Sequence, residues 1–332
     1  MAEVTAALGL GPEQVERVLK AASLAPSVHN TQPWRFRVRP DRIELHPDTS
    51  RRLAATDPED RELRLSCGAA LYNVRLALQD MGVRPLVTML PGQDAPGALA
   101  IVRKGGTIKP DDENRALLDA VPHRRTNRHP FHEARVDSRQ RHSLVRAAEL
   151  ERSWLHVVTT PEGRAQLKRL VQRAHQIQLG DGDVQAELAA FTGPRPDAAD
   201  GVPPASAGVR PAPQDEWTFR DFRGPERHQG KDYESDPLVV VLCSFYDGPL
   251  GELQAGQALQ RVLLTATTHG LSASFLSQPV EVRPVRDELR RSLGGMLVPQ
   301  TVLRLGFSTP VPATPRRRVA ELLMDAKDRA GC

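Results

Sequence analysis

Apolar residues recur at helical spacing over 13–24, where Val15, Val18, Leu19 and Ala22 share one face. Pro26 ends that run. The pattern then changes period. Alternation over 34–38 and 43–45 predicts two short strands joined at Pro40-Asp41. A long amphipathic helix is predicted over 60–81, closed by Gly82. Strands over 84–90 and 98–102 and a short helix over 112–121 follow. A similar order then returns: a helix over 138–150, a strand over 154–159, and a helix over 161–179 opened by Thr160 and Pro161. After these come a buried strand over 238–245, a helix over 256–269 closed by Gly270, a short helix over 285–293 and a strand over 300–307.

This reads as one α+β unit used twice. The clearest internal match sets Ser66-Cys67-Gly68-Ala69-Ala70-Leu71 against Gln254-Ala255-Gly256-Gln257-Ala258-Leu259. Both stretches put small residues early in a long helix, where two helices, or a helix and a flat ligand, approach closely. The expected organisation is an N-terminal half over 1–122 and a C-terminal half over 123–332, packed on each other as two subunits would. The stretch 180–236 breaks the pattern. It is rich in Pro, Gly, Asp and Arg and sparse in apolar residues, which predicts a lid-like insertion. Trp217, Phe219 and Phe222 within it either form a ridge over a site or pin the insertion to the core.

Composition narrows the function. Hydrophobic residues at 39% and charged residues at 26% describe a globular chain with a real core. The apolar runs are too short to span a bilayer, and the first eleven residues do not read as a signal peptide. Three cysteines, Cys67, Cys243 and Cys332, are too scattered for a disulfide scaffold or a zinc site, so a reducing cytoplasm is the expected home. Lys and Arg at 45 against Asp and Glu at 41 give a net charge of +4, and aromatics are only 4%. A nucleic-acid role is therefore not expected. Gly9-Leu10-Gly11 follows no strand and makes no dinucleotide fingerprint.

Two clusters carry candidate chemistry, with a third piece near the end. The first is Ala25-Pro26-Ser27-Val28-His29-Asn30-Thr31-Gln32-Pro33-Trp34. The second is Arg124-Arg125-Thr126-Asn127-Arg128, and the third is Pro315-Arg316-Arg317-Arg318. Guanidinium forks at Arg124, Arg128, Arg316 and Arg318, with the Thr126 hydroxyl, suit a phosphate. Ser27, Asn30 and Gln32 offer neutral donors and acceptors for a heterocycle edge or a polyol. A phosphate, a polyol and a flat ring together describe flavin mononucleotide. Taken singly, an Arg run also suits a solvated face, and the Asn-Thr-Gln-Pro-Trp turn also suits a helix cap that anchors Trp34. Cys67 reads as a buried structural thiol. His29 reads as a structural contact or as a proton donor to substrate.

Over nearly its whole length the chain resembles the FMN-dependent nitroreductase superfamily, in its Acg-type branch with two nitroreductase-like halves in one chain. The resemblance is carried by Ala25 to Trp34, Ser66-Cys-Gly-Ala-Ala70, His123-Arg-Arg-Thr-Asn-Arg128, Asp200-Gly-Val-Pro203, Gly256 to Arg261, His269-Gly-Leu271, Ser277-Gln-Pro279, and Pro299-Gln300 with Arg304-Leu-Gly306. It implies a nitroreductase-like α+β fold and residue roles. Arg124, Thr126 and Arg128, with Arg125 among them, would grip the phosphate, ribityl chain and one side of the ring. Pro26, Ser27 and Asn30, with Gln32, match a loop that in the family reaches across from the partner subunit. Arg316 and Arg318 match a basic pair near the phosphate, and Leu276, Ser277 and Gln278 a turn whose N–H addresses flavin N5. Thr126 stands where Ser is usual, and Val28 where many relatives carry a second hydroxyl.

The half-by-half reading adds a count. The first half carries no Arg-x-Ser/Thr-x-Arg near its start, and in the second half residues 147–156 run from helix to strand without the Pro-Ser-x-x-Asn loop. The expectation is one FMN per chain, no partner chain needed to complete its site, and no metal. NAD(P)H would be the transient reductant in ping-pong reduction of a small acceptor such as a nitroaromatic, quinone or enone. No protein residue would be obligatory for the chemistry, because the flavin carries it. The alternative is a protein that sequesters flavin under its insertion.

Overall fold

The computed structural model describes residues 3–324 apart from 196, 213–214, 218 and 227–235. The part of the insertion at 227–235, and Cys332, therefore lie outside the described residues. The first half opens with α1 (Pro12–Ser23), whose Val15, Val18, Leu19 and Ala22 are buried as the spacing predicts. The hairpin β1 (Trp34–Arg39) and β2 (Arg42–Pro47) follows, with Phe36 opposite Leu45 and Val38 opposite Ile43. Then come α2 (Arg61–Asp80), β3 (Val83–Met89), β4 (Ala100–Thr107) and α3 (Asp112–Ala120). The antiparallel sheet has the order β1-β2-β4-β3.

The second half contains α4 (Ser138–Leu150), β5 (Ser153–Val157), α5 (Pro161–Leu179), α6 (Gly182–Ala190) and β6 (Leu238–Ser244). It continues with α7 (Pro249–Thr268), β7 (Ser272–Phe275), α8 (Gln278–Glu281), α9 (Arg283–Ser292), β8 (Val298–Gly306) and α10 (Val319–Leu322). Its sheet runs β5-β6-β8-β7, the same order as the first, with α7 standing where α2 stands. Several elements differ from the sequence pattern, the one-turn helices α8 and α10 among them. Ser272–Phe275 is too short and polar to read as a strand, yet it pairs with β8 from Ser272–Gly306 to Phe275–Leu303. Helix α7 begins seven residues before the predicted start, because Pro249 opens it after Gly248. The insertion is not all coil, since Asp181 caps α6 through the amides of Asp183 and Val184.

The two halves meet where α2 crosses α7. A Cβ on Gly68 would lie 2.3 Å from the Leu253 carbonyl oxygen, and one on Gly256 would lie 2.1 Å from the Leu65 carbonyl oxygen. The matched small residues thus let the two backbones touch, reciprocally. Around the crossing, Gln260 donates to Asn73 Oδ1 at 2.8 Å, and Asn73 to the Ala21 carbonyl at 2.8 Å. The fold is α+β, with a long helix and a four-stranded antiparallel sheet in each of two tandem halves packed as an intramolecular pseudo-dimer.

Two crossovers position the site. After α3 the chain runs beside β7, bridging Thr126 to Ala273, with Asn127 N–H on the Ala273 carbonyl at 2.9 Å. After β8 the chain returns to the first sheet. Leu323 bridges Phe36, and Met324 N–H reaches the Phe36 carbonyl at 2.8 Å. Among the described residues no helix is long and apolar enough to cross a membrane.

Candidate functional site

The loop after α1 is held in an unusual backbone shape. His29, Asn30 and Gln32 have φ of 49°, 56° and 53°, the left-handed region that non-glycine residues seldom occupy. Local and distant bonds fix it. Ser27 Oγ accepts from Gln32 N–H at 2.9 Å. Asn30 Nδ2 donates to the carbonyls of Gly201 and Pro315, each at 3.0 Å, and its Oδ1 accepts from Arg316 at 2.6 Å. Gln32 donates to the Ala199 carbonyl at 2.7 Å and accepts from Arg317 N–H at 2.9 Å. Asn30 and Gln32 therefore tie the loop, the insertion and the returning C-terminal segment together.

Two clefts meet beside this loop. The wider holds about 640 Å³ including open solvent, and the narrower about 380 Å³. Pro26, Ser27, Thr126 and Arg128 line both. The narrow cleft adds Asn30, Arg124, Arg125 and Arg316. The wide one adds Ser277 and Gln278, with Leu259, Phe275 and Phe222 as apolar walls. Residues from the first half, from the start and middle of the second half, and from near the end of the described chain thus converge on one place.

The narrow cleft is electrostatically one-sided. None of Arg124, Arg125, Arg128 and Arg316 has a carboxylate partner among the described residues. Arg124 is 4% exposed, and among the described residues its Nε and Nη1 reach no acceptor, nor does Arg316 Nε. Burial, then the guanidinium groups of Arg316, Arg125 and Arg128, press the Arg124 pKa down to about 9. Arg128 and Arg316 are lowered to about 10, each chiefly by burial. Buried cations with unspent N–H donors are costly unless an anion completes them. This donor set fits a phosphate group, and the adjoining ring-sized cleft fits the rest of a flavin mononucleotide.

Each expected residue has a definite place. Pro26, Ser27, Thr126, Arg128, Ser277 and Gln278 border the ring-sized cleft. Asn30, Arg124, Arg125 and Arg316 border the cationic one, where Arg125 also donates to the Arg124 carbonyl at 2.8 Å. Gln32 is buried as a latch and lines neither. Leu276 has its N–H committed to the Val302 carbonyl at 2.9 Å and borders a neighbouring hollow. Arg318 is not brought in. Its side chain is 76% exposed and pairs with Glu321 at 3.0 Å at the start of α10. Of the aromatic trio, Trp217 is core and Phe219 packs beside it, whereas Phe222 stands over Arg128 at 4.2 Å and against His29 at 6.0 Å. Cys67 is buried and donates to the Pro33 carbonyl at 3.3 Å. Sequence reasoning missed Glu62 and Arg220 on the ring-sized cleft, since nothing local sets them apart from ordinary helix and loop residues, and it read Ser66 only as part of a small-residue stretch.

Comparison with known proteins adds an independent line. A model of the nitroreductase family matches residues 8–56. The Mycobacterium tuberculosis H37Rv protein named "Putative NAD(P)H nitroreductase Rv3131" is 33% identical over 323 residues, 94% of this chain and 91% of the relative. The chain belongs to the nitroreductase family. A second relative from that organism, carrying the same description with the gene name acg, is 32% identical over 328 residues, 95% of this chain and 96% of its own. Among solved structures, an FMN-bound nitroreductase from Desulfitobacterium hafniense covers 60% of this nitroreductase-family chain and 94% of its own, at 15% identity and a TM-score of 0.39.

Proposed function

We propose that this chain is an FMN-dependent NAD(P)H oxidoreductase that reduces a small organic acceptor, a nitroaromatic, quinone or enone, by alternating reductant and acceptor in one cleft. The observation that carries the reading is the meeting of the Ser27–Asn30 loop with Arg124, Arg128 and Arg316, where Arg124 Nε and Nη1 and Arg316 Nε lack acceptors among the described residues. Arg124 and Arg316 would hold the phosphate, with Arg125 at its rim. Ser27, Thr126 and Arg128, common to both clefts, would hold the polyol and the near edge of the ring, and Ser277 and Gln278 its far side. When bound, the flavin supplies hydride chemistry at its N5. The protein's part is to bind and orient it, to keep positive charge near the ring, and to exclude water with Phe222 and the insertion.

The site draws both contributors from one chain, which supports one FMN per chain and no need of a partner. In the second half, α4 passes into β5 through Glu151 and Arg152 with no equivalent loop. A flavin-to-protein ratio near one is expected, and a ratio near two would overturn this. A second reading, flavin sequestration, is favoured by Phe222 standing over Arg128 as a cover. Anaerobic NADPH decides between them: rapid bleaching of the yellow colour is expected, and persistent colour would favour sequestration.

A further inference from the structure

Reduction of a quinone, nitro or enone group takes two electrons and also a proton for the atom that gains them. Among the described residues lining the ring-sized cleft, Glu62 is the one carboxyl. It lies in the first turn of α2, 6% exposed. Of the cations on or beside the cleft, Arg128 donates to the Ser206 carbonyl at 2.8 Å, and the others are engaged elsewhere. Arg61, beside it, donates to the carbonyls of Val280 and Pro299 and to Gln300 Oε1 at 3.2, 3.2 and 2.9 Å. Arg64 bonds Glu252. Arg220, from the insertion, pairs with Glu281 of α8 at 2.5 Å, and Glu281 also accepts from Gln178 at 2.6 Å.

Glu62 and Glu281 thus influence each other across the packed elements, and the hydrogen-bonding partners fall to Glu281. Arg220 and Gln178 hold its carboxyl below the usual range. Glu62 is pushed well above that range, first by burial, then by the charges of Glu281 and of Asp57 in the preceding loop. Arg61 and Arg220 oppose this and do not win. Such divergence between two neighbouring carboxyls assigns one as acid and the other as fixed charge. His29, which lines the same cleft, is held neutral, its pKa lowered to about 3 by burial and Arg220, so it brings no imidazolium proton.

We propose that Glu62 is the proton donor to an acceptor reduced in this cleft. The inference rests on the oxidoreductase reading above. For a quinone, the two electrons come from NAD(P)H by way of the flavin and arrive as hydride on one oxygen. The Glu62 O–H bond breaks as a new O–H bond forms on the other oxygen, the hydroquinone leaves, and water returns a proton to the carboxylate. Glu62 is then a catalytic residue in the strict sense, touching the acceptor.

Glu62→Gln keeps the shape and removes the acidic proton. In the flavin-free protein at neutral pH, the infrared difference between wild type and variant is expected to contain the carbonyl band of a protonated carboxylic acid, shifted in D2O. Carboxylate bands in its place overturn the proposal. With flavin bound and bleached by NADPH, reoxidation by 1,4-benzoquinone is compared with reoxidation by ferricyanide, which takes electrons alone. The ratio of the two rates is expected to fall about 100-fold in the variant. An unchanged ratio overturns the proposal. Should Glu62→Gln fail to fold, the wild type decides: the same ratio is expected to fall as rising pH ionises Glu62, and a flat ratio overturns the assignment. Absence of bound flavin would sink the oxidoreductase reading, and this proposal with it, whatever the infrared result.

Discussion

Arg124→Met separates what the cationic cleft does for binding from what it does for the fold. The side chain is buried, and among the described residues its Nε and Nη1 have no acceptor. Its pKa is lowered from 12.5 to about 9, which at 1.36 kcal/mol per pH unit corresponds to about 5 kcal/mol set against the charged form. The sign follows from the protonation states. At neutral pH, below about 9, the group is charged in both folded and unfolded chains, so the whole penalty falls on the folded one. Methionine fills similar space without charge. The flavin-free variant is expected to gain about 2 kcal/mol, less than the full figure because the packing of the longer side chain is lost. FMN affinity is expected to fall roughly 10- to 100-fold, the worth of a charged hydrogen-bonded pair at about 1.5–3 kcal/mol. Urea titration of the stripped protein and fluorescence titration with FMN measure the two effects. A variant that is less stable without flavin, or that binds FMN as tightly as wild type, refutes the argument.

Three further outcomes are expected. Gly68→Ala and Gly256→Ala each drive a Cβ into a facing backbone carbonyl, at 2.3 and 2.1 Å, and should each cost about 3 kcal/mol in urea unfolding. The double variant should cost less than the sum, because both open the same gap. Arg316→Ala should weaken FMN binding, while Arg318→Ala, exposed and paired only with Glu321, should leave FMN affinity unchanged and shift stability by no more than about 0.5 kcal/mol. His29 is neutral in the fold with its pKa near 3, whereas an unfolded His protonates near 6.5, so stability present above pH 6.5 is lost as pH falls toward about 3. His29→Asn, which suits the left-handed backbone there, should flatten that part of the stability–pH curve. An unchanged slope would mean that the ring is not buried neutral.

Much of the fold was legible because long helices announce themselves by period. The face of α1 and the small residues shared by α2 and α7 could be read directly, and the latter anticipated the close backbone contact between the two halves. Strand β7 escaped notice because Ser-Ala-Ser-Phe owes its conformation to β8 and not to its own residues. The cleft was legible where chemistry clusters locally, as in the run from Arg124 to Arg128. It was not legible where a side chain's meaning is set by distant partners. Nothing in three successive arginines tells that Arg316 is buried on Asn30, that Arg317 pairs with Asp48 at 3.0 Å, and that Arg318 faces water. Likewise Glu62 looks like an ordinary acidic residue in a helix's first turn until Glu281 and Arg220 are seen to be occupied with each other.

The contact between Asn30 and Arg316 joins residues 286 positions apart. A ribosome releases the loop long before the arginine, so the binding cleft cannot close during translation of the intervening chain. Flavin loading is therefore a late event, and truncated products of interrupted synthesis would leave the Asn30 loop untethered and colourless. The long-range closure also makes this a slow topology to assemble, in which the two halves condense before the pocket that depends on both of them exists.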